Sequence, residues 1–206
     1  MKIICYNIKD NNIIAVFVPT FKFANTTSRS KYAKVYKTEI IKKCGASFLQ
    51  GVAYEEPSFV YPLFFYVNRI YLLDAELYFY RMHDSSTMSS YITKPGKLYD
   101  HPRVQLFTYK QMEANTELYA LYKEEIDFYF LFAFYVETLY FSKMGNLYLG
   151  YDFFLLMQNT IRAMIPAWDK NTYINSLLTA QQKSALSSVA INYSEEEFLE
   201  FKKNLQ

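Results

Sequence analysis

Two cysteines, Cys5 and Cys44, and two histidines, His83 and His101, are all that a chain of 206 residues offers to a site built from thiols or imidazoles. That supply excludes a Cys/His zinc site of the usual kind and a disulfide-built secreted scaffold. A reducing, cytoplasmic setting is expected. Glycine is as scarce: the five present are unclustered, so there is no Gly-rich phosphate loop. No Asp-x-Asp pair occurs anywhere, and no local signature of Ser-His-Asp catalysis accompanies the two histidines. Long hydrophobic runs are missing too. The most apolar stretch, Ile126 to Phe141, is 16 residues long and contains Asp127 and Glu137, too short and too charged to span a bilayer. The apolar run in MKIICYNIKDNN is too short for a signal peptide. Membrane contact is therefore expected to be peripheral at most.

What the chain does have is aromatic surface: 21 Tyr, 18 Phe and one Trp, with 51% of residues hydrophobic. That is enough to bury a core, and it argues against global disorder. The net charge of +2 is unevenly placed, because residues 1–50 carry nine Lys/Arg against Asp10 and Glu39. A basic segment attracts phosphates or an anionic surface. Its confinement to one end of a nearly neutral chain argues against a nucleic-acid binder.

Residues 2–8 and 13–18 have the β-branched texture of short strands, and Pro19 ends the second. Ala33–Lys43 reads as a helix stopped by Gly45. Pro57 suits the first turn of a helix over Ser58–Val67. Arg69–Asp74 and Leu77–Arg81 read as two strands joined through a short Asp-Ala-Glu connection. After Pro102 the spacing turns helical. Helices are expected over Val104–Lys123, Ile126–Lys143, Tyr151–Met164, Asn171–Ser188 and Ser194–Asn204, the last opened by a capping box of Ser194 and Glu197. Two parts follow, residues 1–92 and 93–206.

Between Lys34 and Met88 several short motifs occur in order. Lys34-Val35-Tyr36-Lys37-Thr38-Glu39 leads through Gly45–Gly51 to Tyr54-Glu55-Glu56. Tyr78-Phe79-Tyr80-Arg81-Met82-His83 follows, with Ser85 and Ser86 behind it. In order and spacing this segment resembles the acceptor-side half of the catalytic domain of family 2 glycosyltransferases, which have the GT-A fold. The resemblance implies a fold between α/β and mainly α: a small mixed sheet remnant of a GT-A domain in residues 1–92, followed by a helical C-terminal region.

It also implies roles. Glu56, with Glu55 beside it, would be the base that takes the acceptor hydroxyl's proton during inverting sugar transfer. The family usually has Asp at the position of Glu56, and one extra methylene displaces the carboxylate by about 1 Å. A plainer reading makes both acids helix N-terminal residues favoured by the macrodipole. Arg81, His83 and Ser85 would lie on the side of the donor's diphosphate or metal. Tyr54 and Tyr61 would stack on acceptor sugars. Asp74 and Glu76 read as turn residues, not a metal pair.

The nucleotide-binding half, with its divalent manganese or magnesium site, is not covered by the resemblance. The implied partners are a nucleotide-sugar, a glycan or lipid-linked acceptor, and a separate N-terminal half. A fragment, one half of a split enzyme and a degenerate relative all remain open. So does a non-catalytic carbohydrate- or partner-binding module.

Overall fold

The architecture is a set of helices packed around one long apolar rod. The structure, a computed structural model, describes residues 3–7, 36–67, 69–73, 95–144 and 148–205. In chain order these form β1 (Ile3–Asn7), α1 (Thr38–Cys44), α2 (Glu56–Phe64) and β2 (Arg69–Leu73). A 3-10 turn (Pro95–Tyr99) then leads into α3 (Asp100–Glu113) and α4 (Thr116–Phe130). A π-helical segment (Leu131–Val136) carries α4 directly into α5 (Glu137–Met144). The remaining helices are α6 (Tyr151–Met164), α7 (Thr172–Leu177), α8 (Ala180–Ser187) and α9 (Glu195–Asn204).

Sheet among the described residues is confined to the antiparallel pairing of β1 with β2, Ile3 opposite Leu73 and Asn7 opposite Arg69. The expectation of a mixed α/β sheet remnant is overturned: the protein is mainly helical. The physical reason is the balance of apolar surface. The two strands are five residues each, whereas the helices carry the continuous apolar faces that need burying. The strand expected over 13–18 and the one over Leu77–Arg81 fall outside the described residues.

The rod forms because its sequence has almost no polar face. From Glu125 to Val136 every residue is buried. The break expected near Lys123 falls earlier, at Ala114–Asn115. There the Asn115 side chain caps α4 by accepting the Leu118 N–H at 3.3 Å, and it donates to the Tyr66 hydroxyl at 3.0 Å. Near the expected break the helix only kinks, at Tyr122 (φ −120°, ψ 24°).

α6 lays Phe154, Met157, Ile161 and then Ile165 against the rod, the spacing of an amphipathic helix. α9 follows the same rule with Phe198 and the half-buried Phe201, and Leu205 continues that face just past its end. Its three leading acids, Glu195, Glu196 and Glu197, and its late Lys202 and Lys203 complement the helix dipole. The expected Ser194–Glu197 capping box is present. The single helix expected over Asn171–Ser188 is instead two. Thr179 opens α8 with a second capping box, closed by Gln182. No helix among the described residues is long and apolar enough to cross a membrane. α2 packs against α3, and that contact positions the site.

Candidate functional site

The Tyr54-Glu55-Glu56 turn is the point where the described structure meets the sequence motif. Glu55 is the residue before α2 and Glu56 is its first helical residue; both are half-buried. Pro57 follows within the first turn, where no N–H partner is needed. The Ser58 hydroxyl stitches this turn to the preceding loop. It lies 2.7 Å from the Glu55 carbonyl and 3.2 Å from that of Ser47, and it accepts the Leu49 N–H at 3.0 Å.

Tyr54 has φ +61°, the left-handed region. For a bulky side chain this conformation costs roughly 1–2 kcal/mol. The other left-handed positions among the described residues, Gly45 (φ 66°) and Gly51 (φ 75°), are both glycine. Tertiary contacts hold Tyr54 there. Its ring meets the His101 ring edge-on, with centroids 5.6 Å apart, and stacks near Phe141 at 5.8 Å. One residue earlier, the N–H of fully buried Ala53 donates to Asp100 Oδ2 at 3.0 Å. Asp100 also lies 3.3 Å from Lys97 Nζ and 3.8 Å from Arg103.

Behind Tyr54 runs a buried polar chain. The Tyr129 hydroxyl donates to Gln105 Oε1. The Gln105 amide nitrogen then faces His101 Nε2 at 3.3 Å. In the neutral ring with Nε2 as acceptor, Nδ1 carries the proton and donates to Thr138 Oγ1 at 3.0 Å. A Glu137 carboxylate oxygen lies 3.9 Å from Nε2. His101 and Gln105 share a helix face because they are four residues apart.

Tyr129 and Thr138 share a target for a less obvious reason. Residues nine apart fall on opposite faces of a regular α-helix. The π segment between them takes more residues per turn, which swings the two faces toward each other.

The remaining sequence candidates are placed as follows. Tyr61 is 8% exposed, its ring centroid 4.3 Å from that of Tyr129, so its face is committed to the core and not offered to a sugar. Arg81, His83 and Ser85, with Ser86, Asp74 and Glu76, lie outside the described residues. Among the described residues no three His, Cys, Asp or Glu side chains converge to hold a metal.

Asp100, His101, Gln105 and Thr138 were not singled out as site residues by the sequence motifs. The available signal was that polar residues 100, 101, 105 and 108 recur on the helix face that also carries Val104, Tyr109 and Met112.

A second polar cluster sits farther along α3 and α4. Asp127, 5% exposed, accepts the Tyr109 hydroxyl at 2.8 Å and the Tyr119 hydroxyl at 3.2 Å, and pairs with Lys123. Burial, then the Tyr119 and Asp127 neighbours, push the Tyr109 hydroxyl far above its ordinary range. For Lys123, burial works to lower the ammonium's pKa, but the bond to Asp127 and its charge prevail and raise it. With Tyr109 held protonated and Asp127 accepting from three side chains, the cluster is an internal tie between helices.

Neither a family model, nor a curated protein, nor a solved structure matches this chain.

Proposed function

We propose that this chain forms the acceptor side of a glycosyltransferase that moves a sugar from a nucleotide-sugar to a glycan or lipid-linked acceptor. Glu56 acts as the general base. Its carboxylate takes the proton of the acceptor hydroxyl while that oxygen bonds the anomeric carbon and the bond to the leaving diphosphate breaks. The order of the motifs between Lys34 and Met88 supports this reading. The single structural observation that favours it is the Tyr54–Glu56 turn. A strained, tertiary-held backbone delivers two half-buried carboxylates at a helix start, and such strain clusters at functional sites.

Tyr54, half-buried and two residues before the base in the chain, is assigned to the acceptor sugar. Arg81, His83 and Ser85 are assigned to the diphosphate side by the motif order alone. A divalent manganese or magnesium ion would serve the nucleotide side, and no described residue of this chain is assigned to hold it. The setting proposed is cytoplasmic, with the basic excess of residues 1–50 favouring the inner face of a membrane.

The test is turnover of a panel of nucleotide-sugars with manganese, by the chain alone and, where a polypeptide is encoded immediately upstream, by the two joined. The joined protein is expected to turn over, and the chain alone is not. Glu56→Gln should lower the rate by about 10²–10⁴-fold. Turnover that survives Glu56→Gln sinks the assignment of the base. Glycan binding with no nucleotide binding in either form replaces the enzyme by a carbohydrate-binding module.

A further inference from the structure

Two consecutive residues at the start of α3 hold two consecutive residues just ahead of the carboxylates. Asp100 takes the Ala53 amide, and His101 sets its ring edge against Tyr54. We infer that Asp100 and His101 are positioning residues that lock Tyr54 in its left-handed conformation and thereby fix the direction in which α2 leaves the turn at Glu56.

Three observations carry this beyond ordinary packing. First, the locked residue is a tyrosine where the chain's other described left-handed positions are glycine. A turn needing only that backbone shape would be served by glycine at no steric cost.

Second, His101 is itself immobilised. It is 3% exposed, with Thr138 at Nδ1 and Gln105 at Nε2. A buried imidazole with a full set of partners is an expensive way to fill space that an apolar side chain fills freely.

Third, the support reaches the rod. Thr138 and Tyr129 flank the π segment, so the wide turn presents both ends of the polar chain to α3. The contacts therefore run without a gap from the rod, through α3, to the residue preceding the two acids.

The inference rests on the reading of Glu56 as the base, but the geometry it asserts is measurable without turnover. The experiment compares Asp100→Ala, His101→Ala, His101→Asn and the double variant Asp100→Ala/Tyr54→Gly in the full chain. Amide hydrogen exchange is followed at residues 53–58 and, as a reference, at 151–164. Asp100→Ala and His101→Ala are expected to speed exchange at 53–58 by about tenfold or more and to leave 151–164 unchanged. His101→Asn keeps a donor for Thr138 and should protect the turn better than His101→Ala. Adding Tyr54→Gly to Asp100→Ala should restore protection at 55–58, because glycine keeps the turn without the lock, while the Ala53 amide, its acceptor gone, stays fast.

In the joined enzyme, Asp100→Ala and His101→Ala should lower kcat by about tenfold to a hundredfold with KM for the nucleotide-sugar unchanged. Exchange at 53–58 that does not change, or that rises only in step with 151–164, overturns the inference. If the wild-type joined protein shows no turnover, the sugar-transfer reading fails, and the exchange pattern alone decides the positioning role. Should Asp100→Ala fail to fold, the difference between His101→Asn and His101→Ala decides it.

Discussion

At the scale of single residues, the aromatic content resolves into individual duties. Phe154 is the clearest. It is fully buried, stacked on Phe198 at 4.5 Å and flanked by Tyr193 and Phe201. Phe154→Ala removes the ring on which α9 rests and leaves a cavity beneath it. The expected loss is about 3–5 kcal/mol, read from chemical denaturation. A loss under ~1 kcal/mol would mean that α9 is not docked as described. Gln158, one turn along α6, is a buried polar counterpart that holds the Ser188 and Ile191 carbonyls at 2.6 and 3.1 Å. Tyr61 shows the limit of residue-level reading. Its aromatic character marked it equally well for a sugar or for a core, and only its neighbour Tyr129 decides.

At the scale of elements, one local contact was legible in the sequence and the tertiary ones were not. The Ser194–Glu197 box was legible because capping is a contact between residues three apart. The Thr179–Gln182 box has the same form, but apolar spacing running across it masks the break. Ser194→Ala and Thr179→Ala are each expected to cost about 1 kcal/mol. Asn115→Ala should cost more than either, since it also removes the donor to Tyr66. Thermal unfolding of the three variants, compared pairwise, checks the order. The π segment had no local signature, because a run of buried aromatics suits an α-turn as well as a wider one. The polar side chains it brings to bear on α3 are what distinguish the two. The candidate site was legible as a motif and a helix start. The residues that support it were not, since Asp100 lies 47 positions from Ala53.

At the scale of the whole molecule, the tyrosines tie stability to alkaline pH. Burial pushes Tyr36 up to about 12 and raises Tyr135, Tyr140 and Tyr193. It raises Tyr173 too, with the Glu125 carboxylate adding to the shift. In the unfolded chain these hydroxyls ionise near the ordinary value of about 10. Above that pH the unfolded state holds fewer of these protons than the native one, so the stability the tyrosines contribute is complete below about pH 10 and falls as pH rises toward the native values. Burial also raises the Cys44 thiol, so denaturation midpoints should decline slightly once an unfolded-state thiol ionises, at about 8.5–9, and drop more steeply above about 10, with tyrosinate absorbance appearing together with unfolding. A midpoint unchanged well above pH 10 would contradict this. The wide turn at Leu131–Val136 has a consequence of another kind, for descent with modification. It acts as an insertion absorbed inside a helix. A relative one residue shorter here would keep its rod unbroken yet turn Thr138 and Glu137 away from His101, so a length change that no loop records would switch off the support beneath Tyr54.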